Sequence, residues 1–507
     1  MTNPTSDQAF FGHPRGLSTL FFTEMWERFS YYGMRALLIL FMTAPVALGG
    51  MELPVEQAGA VYGTYTAMVY LMTLGGGWVA DRLLGLRRSV FWGGVLIMSG
   101  HISLALPARS TFYLGLVLVV LGTGMLKGNI SALVGQLYGP EDVRRDAGFS
   151  IYYMGINLGG FLGPIVCGWL AQDERFRTML EGWGMSPQSS WHWGFGAAAV
   201  GMFFGLIQYR LGRSRLPASA DRPAGVRNEA EAAAARGTAV KVFGGSAAAL
   251  AVLAGLQMTG TIGITPNGIA VALDWLLLIS TIAFFTWLFA AGQWTPEERR
   301  RLVVILVLFL GAAVFWGGFE QAGSSLNLFG ERNTANTLFG FAYPASWLQS
   351  VNSFFIIIFA PVFAWIWIKL GSRNPSSPAK FSLGLALLAV GFGLMTLAAI
   401  SAAGGERVSP MWLIGFYLFA TFGELCLSPV GLSAMSKLAP ERVTGLMMGV
   451  WFLASSVGNK IAGRMGGLYE SLSVPMIFAI SAAFPLLFAL ILAALVRPIR
   501  RMLARTA

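Results

Sequence analysis

The stretch FFTEMWERFSYYGMRALLIL (residues 21–40) carries Glu24, Glu27, Arg28 and Arg35 inside an otherwise oily run. At the centre of a bilayer each such charge costs about 2.5–3.5 kcal/mol on insertion scales. Positions 24, 27, 28, 31, 32 and 35 step by three or four, so a helix gathers Glu24, Glu27, Arg28, Tyr31, Tyr32 and Arg35 into one stripe. Glu24 and Arg28 form an i,i+4 pair of opposite charge. Phe22, Met25, Phe29 and Leu37 leave the remaining surface apolar, fit for lipid or neighbouring helices, and Gly33 keeps the backbone accessible. The charges therefore point inward, towards a cavity or towards each other in an ion network that locks helices together. Four charges and two tyrosines exceed what packing requires.

The rest of the 507-residue chain has the same character: 55% hydrophobic and 12% charged, with a mean hydropathy of +0.63. A soluble chain carries about 25% charged residues. Apolar runs long enough to cross about 30 Å of hydrocarbon recur from end to end, without the alternation of a barrel strand. This predicts an all-α, polytopic membrane protein. The net charge of +11 does not call for nucleic acid, because a membrane protein collects basic residues in its cytoplasmic loops. Cys167 and Cys426 lie in apolar segments and read as packing residues, not as a disulfide or metal cluster. The start, MTNPTSDQAFFGHPRG, lacks the form of a signal peptide.

Spans are expected at 16–48, 55–83, 88–106, 111–138, 143–171, 191–212, 239–260, 267–292, 302–327, 342–369, 380–402, 410–437, 441–468 and 473–496. An even number, fourteen, puts both termini on one side. With that side cytoplasmic, the inner segments hold 25 Lys and Arg, including Arg82, Arg87, Arg88, Arg144, Lys437, Arg442, Arg500, Arg501 and Arg505, and the outer loops hold five. So asymmetric a split fixes both termini inside. The polar stretch RSRLPASADRPAGVRNEAEAAAARGTA (213–239) reads as a linker with a short helix in NEAEAAAAR. The inner loops LLGLRRS (83–89) and KLGSRNPSS (369–377) share Leu-Gly-x-Arg, a short match that chance can produce. The simplest partition is a six-helix bundle at 1–212, a linker with two inserted helices at 213–301, and a second six-helix bundle with a short tail at 302–507. Transporters built from such repeats place their site between them, at mid-membrane.

Other charges lie at similar depth: Lys127 after LGTGML, Glu424 in FGELCLSP and Glu320 in FWGGFEQAG, the last in the outer half of its span. Three cations (Arg28, Arg35, Lys127) against four carboxyls (Glu24, Glu27, Glu320, Glu424) suggest mutual pairing, with the surplus carboxyl a proton carrier. Such a chamber suits a zwitterion, its carboxylate towards Arg35 and Lys127 and its amine towards Glu424. Trp316, Trp451, Tyr31 and Tyr32 can wall side-chain pockets; the tryptophans read equally well as interfacial anchors or core. GTGMLKG is no phosphate loop, since the order Gly-x-x-x-x-Gly-Lys-Ser/Thr is absent; Gly122 and Gly124 permit close helix packing. His13, His101 and His192 form no metal pattern and suit local snorkelling or capping. Asp274, Lys460 and Arg464, nearer span ends, suit interfacial or structural roles. No nucleophile constellation marks an enzyme, and no cofactor is expected.

These residues resemble the proton-dependent oligopeptide transporters, a branch of the major facilitator superfamily. The sharpest match is EMWERFSYYG (24–33), the family's Glu-x-x-Glu-Arg-Phe-x-Tyr-Tyr-Gly. Gly122, Gly124, Lys127, Gln136 and Tyr138 match Gly-x-Gly-x-x-Lys followed by Gln-x-Tyr, YYMGINLGG (152–160) matches Ile-Asn-x-Gly, and GGWVADRLLGLRRS (76–89) looks like the superfamily's inner-loop motif. Two extra helices fit bacterial members.

The resemblance implies the superfamily fold and a role for each matched position. Glu24, Glu27 and Arg28 would couple proton binding to peptide binding, with Glu320 a second proton site near Arg35. Arg35 and Lys127 would hold the peptide carboxylate. Glu424, followed by Ser428, would hold the amine and pair with Lys127 in the inner gate. Asn157 and Asn352 would hydrogen-bond the peptide backbone; QSVNSFF (349–355) departs from the family by lacking proline after Asn352, which puts any kink there in question. Tyr31, Tyr32, Tyr70, Trp316 and Trp451 would shape side-chain pockets. Asp81, Arg82 and Arg87 would stabilise the outward-open form. The expected protein is a monomeric proton-coupled importer of di- and tripeptides in a bacterial cytoplasmic (inner) membrane, with protons as coupling ion. Other small cargoes on the same fold are nitrate, amino acids or peptide-like compounds.

Overall fold

Among the described residues, fourteen helices of 19 residues or more follow the fourteen expected spans in order. They are α1 (Arg15–Thr43), α2 (Val55–Val79), α3 (Leu86–Leu104), α4 (Arg109–Gln136), α5 (Arg145–Gln172), α7 (Ser190–Gly212), α8 (Glu229–Met258), α9 (Pro266–Ala291), α10 (Pro296–Phe319), α12 (Ser350–Leu370), α13 (Ser377–Ala402), α14 (Met411–Leu438), α15 (Thr444–Gly467) and α16 (Val474–Ala504). Two short helices, α6 (Glu174–Gly182) and α11 (Ser325–Arg332), were not expected. This computed structural model describes residues 8–139, 141–292, 294–440 and 443–504. Arg442 and Arg505, counted above as inner charges, lie outside the described residues, as do the side chains of Lys437, Arg500 and Arg501. Helices dominate because hydrocarbon offers the backbone no partner but itself. Among the described residues, nine helical segments are long and apolar enough to cross a membrane by composition. α1 and α15 fall outside that group and carry embedded charges.

The sequence missed several helix ends for identifiable reasons. The first span was expected to reach 48, but Pro45 holds Ala44 extended (ψ 143°) and ends α1 at Thr43. The span expected at 302–327 is broken: α10 stops at Phe319, a 3-10 turn covers Glu320–Gly323, and Ser324 (φ −124°, ψ −101°) separates it from α11. Gly317, Gly318 and Gly323 weaken the helix there. The short helix expected in NEAEAAAAR is fused to the next span, because the Asn228 side chain accepts from Glu231 N and caps α8 at Glu229. The linker before it is tied down. Arg87 pairs with Asp221 (2.9 Å) and donates to the Arg213 carbonyl (2.8 Å), and Gly225 N donates to the Asp81 carbonyl (2.8 Å). The two Leu-Gly-x-Arg loops share a backbone feature: Gly85 and Gly371 both adopt positive φ (79° and 48°) after their helices.

α1–α5 and α7 pack together as one bundle, and α10 with α12–α16 as another. Glycine lets α3 and α4 approach closely; a Cβ on Gly100 would lie 2.8 Å from the Gly115 carbonyl. The bundles meet where α2 faces α15 and α5 faces α12. A Cβ on Gly63 would come within 2.9 Å of Gly463 Cα. Donors of the second bundle reach backbone carbonyls of the first: Ser456 to Ala67 (2.8 Å), Asn327 to Ala36 (2.8 Å), Trp347 to Ile165 (2.9 Å) and Ser350 to Phe161 (2.7 Å). These contacts lie towards the end of the molecule that holds the loops 44–54, 183–189 and 333–349. At the opposite end, among the described residues, no hydrogen bond or ion pair joins the bundles. The molecule is shut by hydrogen bonds at one end; towards the other, Leu74 of α2 still lies beside Gly449 of α15.

Candidate functional site

The α1 stripe is buried along its length: Glu24, Glu27, Arg28, Tyr31 and Arg35 are each at most 4% exposed. Its apolar face packs on neighbours, with Trp26 against Phe204 of α7 (5.4 Å). Gly33 is a packing position, not an exposed backbone patch, since a Cβ would lie 3.0 Å from the Gly163 carbonyl of α5. Arg28 Nε lies 3.1 Å from Glu24 Oε1 and also pairs with Glu27. Its guanidinium stands 5.2 Å from the Tyr31 ring. Tyr152 of α5 faces Glu24 and lies 3.4 Å from Ser131. Lys127 enters from α4 with Nζ 3.8 Å from the centre of the Tyr70 ring, a cation–π contact. Glu24, Glu27, Arg28 and Glu320 are its electrostatic neighbours.

Two turns along α1, Arg35 reaches the other bundle. Its Nη1 lies 2.7 Å from Glu320 Oε2, and its guanidinium is 5.5 Å from the Tyr32 ring. Glu320 sits where α10 ends, so the partial negative charge of the helix C-terminus adds to its carboxylate in attracting Arg35. One turn earlier, Trp316 has a buried indole N–H without a partner among the described residues. Across the site, Asn352 of α12 donates to Glu424 Oε2 (3.2 Å) and to Thr421 Oγ1 (2.9 Å) of α14. Tyr153 of α5 faces Glu424 from the first bundle. Ser428 is half-buried one turn beyond Glu424, and Trp451 of α15 is buried.

Several expectations change. Lys127 and Glu424 form no ion pair; Lys127 rests on Tyr70 and Glu424 on Asn352. Each is held by a neighbour in its own bundle. Asn157 donates to the Tyr153 carbonyl of its own helix (2.9 Å). Without a following proline, α12 runs on through Asn352. Asp81 and Arg82 are exposed at the end opposite the shut one, and Arg87 is engaged by the linker, so none of the three joins the bundles here. His13 does not snorkel but bonds Tyr138 (2.9 Å), and His101 is fully buried with neither ring nitrogen partnered among the described residues.

Sequence reasoning missed Tyr62 and Tyr65 of α2, whose hydroxyls are buried beside the cluster without a partner. A Cβ on Gly323 would strike Tyr62 Oη, and the Tyr65 ring stacks on Tyr31 at 6.4 Å. The signal was present: Tyr62, Tyr65, Thr66, Tyr70 and Thr73 repeat at helical spacing as a second polar stripe. Together the unpartnered atoms of Arg28, Tyr31, Arg35, Tyr62, Tyr65 and Trp316 form a set that water or a polar ligand would satisfy. Volume is a poor guide here. A cavity of about 1250 Å³ lies away from the charges, between α5, α6 and α7, with apolar walls such as Leu162, Trp193 and Phe204.

Residues 87–480 match the model of a family described as the POT family. The chain is 42% identical over 525 residues, covering 100% of it and 98% of the relative, to "Peptide transporter YePEPT" of Yersinia enterocolitica subsp. palearctica serotype O:3 (strain YE-P4). It is 38% identical over 506 residues to a "Di-/tripeptide transporter" of Lactococcus lactis subsp. cremoris, with 98% of each chain covered. A solved structure, "Crystal structure of peptide transporter POT in complex with sulfate", superposes with a TM-score of 0.88 at 39% identity, covering 99% of each chain.

Proposed function

This chain belongs to the POT family, with the fold of the major facilitator superfamily, and from that premise we propose that it is a proton-coupled symporter importing di- and tripeptides by alternating access. The observation that carries the proposal is the cross-bundle pair Arg35–Glu320 beside Lys127, with the Glu424 carboxyl facing it from α14. The pair gives one bundle cations for a carboxylate and the other a carboxylate for an ammonium. The printed names of the relatives support peptides as the cargo.

In the proposed cycle the shut end is periplasmic and the opposite end cytoplasmic. The excess of basic residues at that opposite end supports this orientation in a bacterial inner membrane, with both termini inside. The bundles at 1–212 and 302–507 rock about the site, while the segment at 213–301 adds two further crossings and makes fourteen in all. A proton on Glu320 releases Arg35 to the peptide carboxylate, which Lys127 also approaches. A proton on Glu24 or Glu27 frees Arg28 in the same way. Glu424, steadied by Asn352 and followed by Ser428, takes the ammonium. Asn157 turns from its own helix to the peptide backbone. Tyr31, Tyr32, Tyr70, Trp316 and Trp451 wall the side chains. Proton and peptide favour the same rearrangement, so each strengthens binding of the other. The Lys127–Glu424 pair, with Asp81, Arg82 and Arg87, belongs to the state in which the cytoplasmic end is shut. The protein works as a monomer.

Competition tests the cargo. Unlabelled dipeptides should suppress uptake of a labelled dipeptide by purified protein in vesicles, and nitrate should not. Transport of nitrate alone would overturn the assignment, since nitrate has no use for Glu424.

A further inference from the structure

The inserted helix α9 lies across the seam between the bundles, at the end where they are shut. Asp274, two turns into α9, accepts from Arg464 Nε of α15 (3.0 Å), pairs again through the second guanidinium nitrogen, and lies 3.6 Å from Lys460 Nζ. Phe285, further along α9, packs on Phe309 of α10 (5.0 Å), so α9 is fixed to the second bundle at two points. Its outer half also rests on the first bundle. Leu273 and Leu277 bury themselves with Ala67, Met68 and Leu71 of α2. Asn267 Nδ2 donates to Glu56 Oε1 of α2 (2.9 Å). Lys460, 5% exposed, closes the knot by donating to Thr64 of α2 (3.0 Å). Asp274, Lys460 and Thr64 thus link three helices at the level of the glycine seam, where α2 and α15 must separate when this end opens.

We propose that α9 is a latch on the shut end: Asp274 fixes it to Arg464 and Lys460 of α15 while its apolar face and Asn267 hold α2, so that it stabilises the state in which this end is closed. Opening the end forces α9 to give up α2 or α15. It packs more extensively on α2, while the charged contacts and the link to α10 tie it to the second bundle, so opening breaks one set or the other. Loss of Asp274 leaves Arg464 and Lys460 facing each other uncompensated beside the seam, which loosens closure from within. The inserted helices then bias the equilibrium between the two open states without touching cargo.

The inference rests on the proposed rocking of the bundles but not on the identity of the cargo. Spin labels on cysteines introduced at Leu48 and Glu406, exposed loop positions of the two bundles at this end, report the separation by pulsed dipolar spectroscopy in lipid nanodiscs. Cys167 and Cys426 are buried. Asp274→Asn should raise the long-distance population about fivefold, the lower range of allosteric couplings, without peptide present. Arg464→Gln should shift it in the same direction, and the double variant should shift it no further than Asp274→Asn alone, since Arg464→Gln breaks one of the contacts that Asp274→Asn already removes. Asn267→Ala, at a half-buried position, gives a smaller shift in the same direction and serves if Asp274→Asn does not fold. Wild-type distance distributions in these variants, or additive shifts in the double variant, would overturn the latch. Failure of dipeptide uptake with the latch shifts intact would strike only the peptide assignment.

Discussion

Arg35 of the first bundle and Glu320 of the second stand 2.7 Å apart, both buried, and form an ion pair between the two bodies. A buried pair that loses one partner costs about 3–5 kcal/mol, because a charge is left without compensation. In the proposed cycle, loss of the Glu320 charge loosens the shut end and frees Arg35. Glu320→Gln, a fixed mimic of the protonated form, should cut proton-driven accumulation about tenfold or more, the effect of about 1.4 kcal/mol. Exchange of labelled for unlabelled peptide, which needs no net proton movement, should persist. Vesicle assays with and without a pH gradient measure both.

Glu24→Gln addresses the other carboxyl group, in the Glu24–Arg28–Glu27 cluster. It should abolish accumulation against a gradient and spare some counterflow. Wild-type accumulation in this variant would remove Glu24 from the coupling.

Lys127 rests on Tyr70, and the aromatic face, not the hydroxyl, makes the contact. Tyr70→Phe should bind peptide nearly as wild type. Tyr70→Leu should weaken binding two- to fivefold, from a cation–π loss of about 0.5–1 kcal/mol. Lys127→Ala should impair proton-driven uptake far more. Calorimetric titration with a dipeptide separates the three.

The glycine seam gives a steric prediction. A side chain at Gly63 meets the backbone of α15, which has no flexible end to move aside. Gly63→Val should hold the shut end open, lengthen the distance between labels there and depress transport, with the fold intact by circular dichroism.

His13 lies before α1, hydrogen-bonded to Tyr138. Burial first and the nearby Arg144 second lower its pKa below the ordinary 6.5, against a smaller upward pull from Asp142. A base with a depressed folded pKa contributes stability that is present above the unfolded value and lost as pH falls through the folded one. The arm at residues 8–14 should therefore exchange its amide hydrogens faster as pH drops below about 6.5, after correction for intrinsic rates. In His13→Asn that pH dependence should disappear.

Much of this was legible in the chain. Charges at helical spacing in an apolar run have one tolerable orientation, so the inward stripe from Glu24 to Arg35 could be read before any contact was known. Span centres were equally plain, because hydrocarbon thickness sets their length. Partner choice was not. Lys127 rests on Tyr70 and Glu424 on Asn352, a choice that depends on how the two bundles pack, which no single segment encodes. The break at Glu320 was hidden because Phe319, Ala322 and Leu326 keep the run apolar through a turn that glycines and serines permit. Asp274, Lys460 and Arg464 read as separate end-of-span charges, since only packing brings α9 across to α15.

The most direct test is simultaneous measurement of peptide and proton entry into vesicles holding the purified protein. With the lumen alkaline, a labelled dipeptide should accumulate above its outside concentration, with matching lumenal acidification, and both should collapse on addition of a protonophore. Dipeptide entry that only equilibrates, unmoved by the pH gradient and without acidification, would contradict the account.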